Sequence, residues 1–158
     1  NVFRVGGLPA RRAYLRFNIP STILDSSDVV RATLFMDQRA NGLSPESSDT
    51  IGIGHFGVVA GGTVTDLTRA LFFLQRLTNR DTLRITPADS GVRSFEIIDW
   101  IRAWRGTDPV KTPRAMGFAS SEEGENGRLV DFYSIEAPLA IRPRLRLTFI
   151  PRRTGPLQ

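Results

Sequence analysis

Few side chains here are of types that do chemistry, and their spacing decides what each is good for. His55 is the only histidine. It sits in the string GIGHFG, Gly52 to Gly57. A general base needs a nucleophile and an orienting carboxylate within hydrogen-bond reach. The spacing offers no serine and aspartate pair near it, so a structural histidine is the better reading. The same string fits G-x-G-x-x-G, but the phosphate-binding version needs a helix opening directly after it. Val58 and Val59 follow instead, with strand character. Glu122, Glu123 and Glu125, with the Asn126 amide, put hard oxygen donors on one polar loop. Such a set could hold calcium, which takes roughly six to eight oxygens, but the spacing fits no EF-hand and a charged hairpin tip is the better reading. Asp66 and Asp99 fall where helices would begin, and capping explains both. No catalytic set assembles. The chain reads as a non-enzyme without a cofactor.

Binding groups are more numerous. An aromatic ring face stacks on the C–H face of a pyranose, which nominates Trp100, Tyr14, Phe132 and Tyr133. Tryptophan also supplies a large buried area, so the core competes for Trp100 and is the expected place of Trp104. Arg16, Arg31, Arg144 and Arg146 all point outward from their strands, which are expected to be neighbours. Like charges opposite one another on a sheet repel. Gathered together, they would want acidic partners or an anionic ligand; standing apart, they would pair with surface carboxylates.

The elements that must position these groups are mostly strands. Ala13, Leu15, Phe17 and Ile19 alternate with Tyr14, Arg16 and Asn18, the period of a half-buried strand. Pro20 stops it, and Ser21 to Asp28 reads as a polar connection. Val30, Ala32, Leu34 and Met36 form the inner face of the next strand. Ile51 to Ala60 is a third, whose glycines leave its register undetermined. Thr65 to Leu77 has helical spacing, with Leu67, Leu71, Phe72 and Phe73 as a surface for a partner. Shorter strands are expected at Leu83–Ile85, Val92–Ile98, Ala115–Ala119 and Leu129–Ile135. Asp99 is expected to cap a short helix, Trp100 to Arg105, ended by Gly106. In the last strand Leu145, Leu147 and Phe149 face inward. Many short strands with two brief helical interruptions indicate an antiparallel sandwich or barrel.

Composition narrows the classes. With 158 residues one domain is expected, a sandwich over residues 1–151 followed by a tail, 152–158. The chain has no cysteine, which excludes disulfides and thiolate chemistry. No apolar stretch approaches the roughly 20 residues of a membrane-spanning helix. No signal peptide is evident at Asn1, and the missing initial methionine suggests processing or a piece of a longer protein. Lys and Arg number 21 against 16 Asp and Glu, but the arginines are scattered, and neither a reading helix nor a basic aromatic platform for nucleic acid is evident.

The segments AYLRFNIP (Ala13–Pro20), VVRATLFM (Val29–Met36), FEIIDWIRAWRG (Phe95–Gly106) and the run from Met116 to Phe149 together resemble the DNRLRE-type jelly-roll modules of bacterial surface and secreted proteins, relatives of carbohydrate-binding modules. Asp99, Trp104 and Pro143 to Leu145 match the positions where such a module ends a strand in aspartate, packs a tryptophan-bearing turn over the sheet and closes with a Pro-Arg-Leu strand. The chain departs from that pattern in its short leading stub, Val2 to Gly7, and in the long Thr65–Leu77 segment. The resemblance implies an all-β, antiparallel jelly-roll sandwich outside the cytoplasm of a bacterium. Two functions are expected: a structural or docking subunit with protein partners, to which the short stub, the Thr65–Leu77 segment and the lack of a catalytic set point, or a polysaccharide-binding module, acidic glycans included.

Overall fold

In a computed structural model of the protein, residues 1–42, 48–58, 82–108 and 113–152 are described in full and residues 74–75 by their backbone. In chain order the elements are β1 (Val2–Gly6), β2 (Ala13–Arg16), α1 (Ser21–Ser26), β3 (Ser27–Arg39), β4 (Ile51–Val58), β5 (Leu74–Gln75), β6 (Thr82–Ile85), β7 (Gly91–Glu96), α2 (Ile98–Ala103), β8 (Ala115–Ser120), β9 (Leu129–Tyr133) and β10 (Arg144–Pro151). The strands form two antiparallel five-stranded sheets. One runs β1-β9-β3-β10 with β7 also on β3; the other runs β2-β8-β4-β5 with β6 also on β4. The chain crosses between the sheets at each step from β1 to β4 and again from β6 to β9, while β4 to β6 and β9 to β10 each stay within one sheet.

The long strand β3 organises the first sheet. Thr33 faces Arg146 on one side and Glu96 on the other, while Gln38 faces Phe132 and Gly91. β10 and β9 therefore share one edge of β3 in succession, and β7 lines the other. Alternation does the rest: Ala32, Leu34 and Met36 point inward and are fully buried. From the opposite sheet come Ile51, Ile53, Met116 and Phe118, and the two sets interdigitate into one core. Phe95 and Phe118 meet edge to face at 5.4 Å, a geometry that contributes about 1 kcal/mol beyond burial alone.

Several local expectations change. Ser21 to Ser26 is a helical turn rather than a plain connection: the Pro20 carbonyl accepts from the Ile23 and Leu24 N–H groups, and Leu24 is buried. Helix α2 starts earlier than its aspartate suggests. Ile97 is its N-cap, and Asp99 lies in the first turn, 3.7 Å from Arg102. Trp100, Ile101 and Trp104 are buried as the helical spacing requires. In β10 the register slips between Thr148 and Phe149, so that Thr148 faces Arg31 and Phe149 faces Val29. The slip leaves Val30 as the extra residue of a bulge, and it explains why Val30 and Phe149, expected inside, are 50% and 41% exposed.

The expected helix at Thr65–Leu77, with Leu67, Leu71, Phe72 and Phe73, lies outside the described residues except at Leu74 and Gln75. Those two are strand, paired with Val58 and Gly57. Arg152, assigned to the tail, belongs to the sandwich: its N–H bonds Ser26 O and its guanidinium bonds Asp28 at 2.7 Å.

Candidate functional site

The residues singled out for chemistry distribute over an interior cluster, two surfaces and a loop. Trp100 is in the interior, only 5% exposed. Its indole N–H donates to Nδ1 of His55 at 3.1 Å, and His55 is itself buried among Phe95 and Phe118. The bond makes Nδ1 the acceptor for the indole. Gly57 shows why GIGHFG is glycine-rich: a Cβ there would stand 2.0 Å from the Trp100 ring. The indole packs directly against the bare β4 backbone at Gly57. The string lies within the internal strand β4, which runs on to Val58, and its third glycine serves packing. Phe132 is likewise fully buried.

The outward arginines do not form one cluster. Arg31, Arg144 and Arg146 stand on the neighbouring strands β3 and β10, but Arg16 is on β2 in the other sheet. Each of the three has its charge answered locally. Arg31 bonds Glu96 at 2.8 Å, and Arg144 bonds Asp37 at 3.0 Å. Arg146 lies over the Phe35 ring, 5.1 Å from its centroid. The Arg31 hydrogen bond, with a second from the Thr33 hydroxyl, holds the Glu96 carboxyl below its usual range.

The acidic loop turns its carboxylates to cations already present. Glu122 accepts from Asn126 at 2.8 Å and from Arg128 at 3.0 Å, while Glu123 accepts from Arg12. Glu125 shares no site with them: among the described residues no three histidine or acidic side chains converge as a metal cage would.

Tyr14 and Arg16 are the expected site residues that come together. Both line an open cleft of about 580 Å3 along β2, bounded by Val2 and Phe3 of β1 and by the segment Ser134–Glu136. A second cleft of about 650 Å3, lined by Val2, Arg4 and Ala10–Arg12, continues it at the hairpin end. The hairpin explains the shape. Gly6 and Gly7 turn with φ of 96° and 84°, and Gly6 exchanges two backbone bonds of 2.9 Å with Arg11. Positive φ at both positions favours glycine. Beyond that clasp the arms part into different sheets. β1 and β2 are each the end strand of a sheet, so the cleft opens between two sheet edges.

Its electrostatics were not visible in the residues first chosen. Arg12 donates through Nε to both oxygens of Glu123, at 2.8 and 3.0 Å, which raises the guanidinium above the ordinary arginine range. Arg4 and Arg39 both bond Asp131, whose side chain is 1% exposed. The register forces this: Asp131 of β9 stands opposite Arg4 of β1 and Arg39 of β3. Arg11 makes no ion pair among the described residues. The Tyr14 hydroxyl is buried beside the Arg12 guanidinium. At the far rim the Glu136 carboxyl is held low by the Ser134 hydroxyl and its own backbone N–H.

Compared with known protein families and with curated proteins, the chain matches none. Among the described residues no helix is long and apolar enough to cross a membrane.

Proposed function

We propose that the protein is a non-catalytic docking module, a structural subunit of a larger protein or assembly outside the bacterial cytoplasm. The observation that carries this is the cleft between the end strands β1 and β2, where two sheet edges meet and Arg12 and Arg16 line one cleft and Arg4, Arg11 and Arg12 the next. Open strand edges are surfaces on which further chain is added. The use of His55 and Trp100 in packing supports a role without catalysis, and the resemblance to DNRLRE-type modules supports the extracytoplasmic setting.

A second reading, a module for acidic polysaccharides, is favoured by one observation: Tyr14 and Arg16 share the basic cleft, so a ring and a cation reach the same opening. The burial of Trp100 removes the strongest stacking candidate and weighs against it. Native co-purification from the source cells, followed by gel filtration before and after glycan digestion, separates the two. Co-elution with a defined set of proteins that survives digestion supports docking. Association lost on digestion supports glycan binding, and elution alone in both runs defeats both.

A further inference from the structure

The register of the hairpin shows which backbone groups its edge offers. Ser134 donates its N–H to Asn1 O at 3.0 Å, and Gly6 bonds Arg11 across the opposite side. Bonded residues alternate in an antiparallel ladder. Asn1, Phe3 and Val5 therefore turn their N–H and C=O groups toward β9, and Val2, Arg4 and Gly6 turn theirs away. Gly6 is answered by Arg11. The backbone groups of Val2 and Arg4 meet no partner among the described residues, and they face the cleft. A strand laid there would gain a donor and an acceptor from each.

Side chains of that strand would alternate between faces. Those level with Arg4 fall on the face where Arg4 and Arg39 share the single carboxylate of Asp131, an excess of one positive charge. Arg11, without an ion pair among the described residues, adds to it at the clasp. Those level with Phe3 point between the sheets toward Leu15, where half-buried apolar side chains line the cleft. We infer that the cleft receives an extended segment of a partner protein in which acidic and apolar residues alternate, added as a strand to the outer edge of β1. This rests on the docking reading and specifies its partner's chemistry.

The test titrates the whole chain with a fluorescent peptide of alternating aspartate and valine, read by anisotropy. Lysine in place of aspartate should weaken binding by about tenfold or more. N-methylation of alternate residues should cost about tenfold in one phase and little in the other, because only one set of N–H groups faces β1. Arg11→Ala should weaken binding several-fold, and amide exchange at Arg4 should slow in the complex. Equal affinity for the two N-methylated peptides, or unchanged exchange at Arg4, overturns strand addition. Binding of oligogalacturonate in the absence of peptide binding overturns it in favour of the glycan. If no peptide binds while proteins still co-elute from cells, strand addition fails and docking stands; if nothing co-elutes, the docking reading itself fails.

Discussion

At the Trp100 end of the sandwich an aromatic side chain is pressed onto bare backbone, and at the β1–β2 edge the backbone itself is left bare with side chains standing round it. The first arrangement uses glycine to bring a ring and a strand into contact and ties the ring down through His55. The second uses a glycine turn to hold two strands together at one end and lets them separate at the other. The lesson concerns where polar backbone is satisfied. Inside, every gap filled by the indole is stability. At the edge, unanswered N–H and C=O groups are tolerable only because water or another chain can reach them.

The contrast breaks most sharply at its packed end. Trp100→Ala should destabilise by about 3–5 kcal/mol in urea unfolding, since it removes a whole indole from the core and leaves a cavity. Gly57→Ala should cost about 3 kcal/mol by overpacking against that ring. The two effects should be strongly non-additive, because the added methyl finds room once the indole is gone; strict additivity would mean that the methyl is harmful for another reason. At the edge the effects are smaller. Asp131→Asn should cost about 1–2 kcal/mol, with Arg4 and Arg39 half-exposed and able to turn to water. Arg12→Ala should cost a similar amount, about 1–2 kcal/mol in urea unfolding, because it leaves the Glu123 carboxylate, 19% exposed, without its cation.

The smallest expected effect is an acid limb. Glu96 is held low by Arg31 and then Thr33, and Asp28 by Arg152 and then Arg105. Each carboxyl titrates lower in the folded chain than in the unfolded one. Their contribution is therefore complete above the ordinary carboxylate range and is lost as pH falls through the folded-state values. Glu96→Gln should flatten that limb in a series of urea titrations below about pH 5.

Much of the sandwich is legible from period alone. Ala32, Leu34 and Met36 face the core because side chains alternate, and Trp100, Ile101 and Trp104 share a helical face. The register of β4 is not legible, since its glycines answer to side chains that arrive much later in the chain, Gly52 to Thr82 and Ser121 and Gly57 to the Trp100 indole. Val30 misleads because a bulge is set by the pairing of β3 with β10, not by either strand alone. Helix α1 hides because one buried leucine among polar residues carries no period. The cleft was half visible: Tyr14 and Arg16 could be picked by type. Arg4, Arg11 and Arg12 could not, because which strands end up at sheet edges depends on pairings across the whole chain.

The way β3 shares its partners also has a consequence in time. Its Ser27 to Phe35 edge is completed by β10, which follows every other strand of the sandwich in chain order. On the ribosome the first half of this strand must wait, hydrogen bonds unmade on that side, until the final strand emerges. Ordering the sandwich is thus a late event, and until then the nascent chain carries an exposed strand template that is open to other molecules.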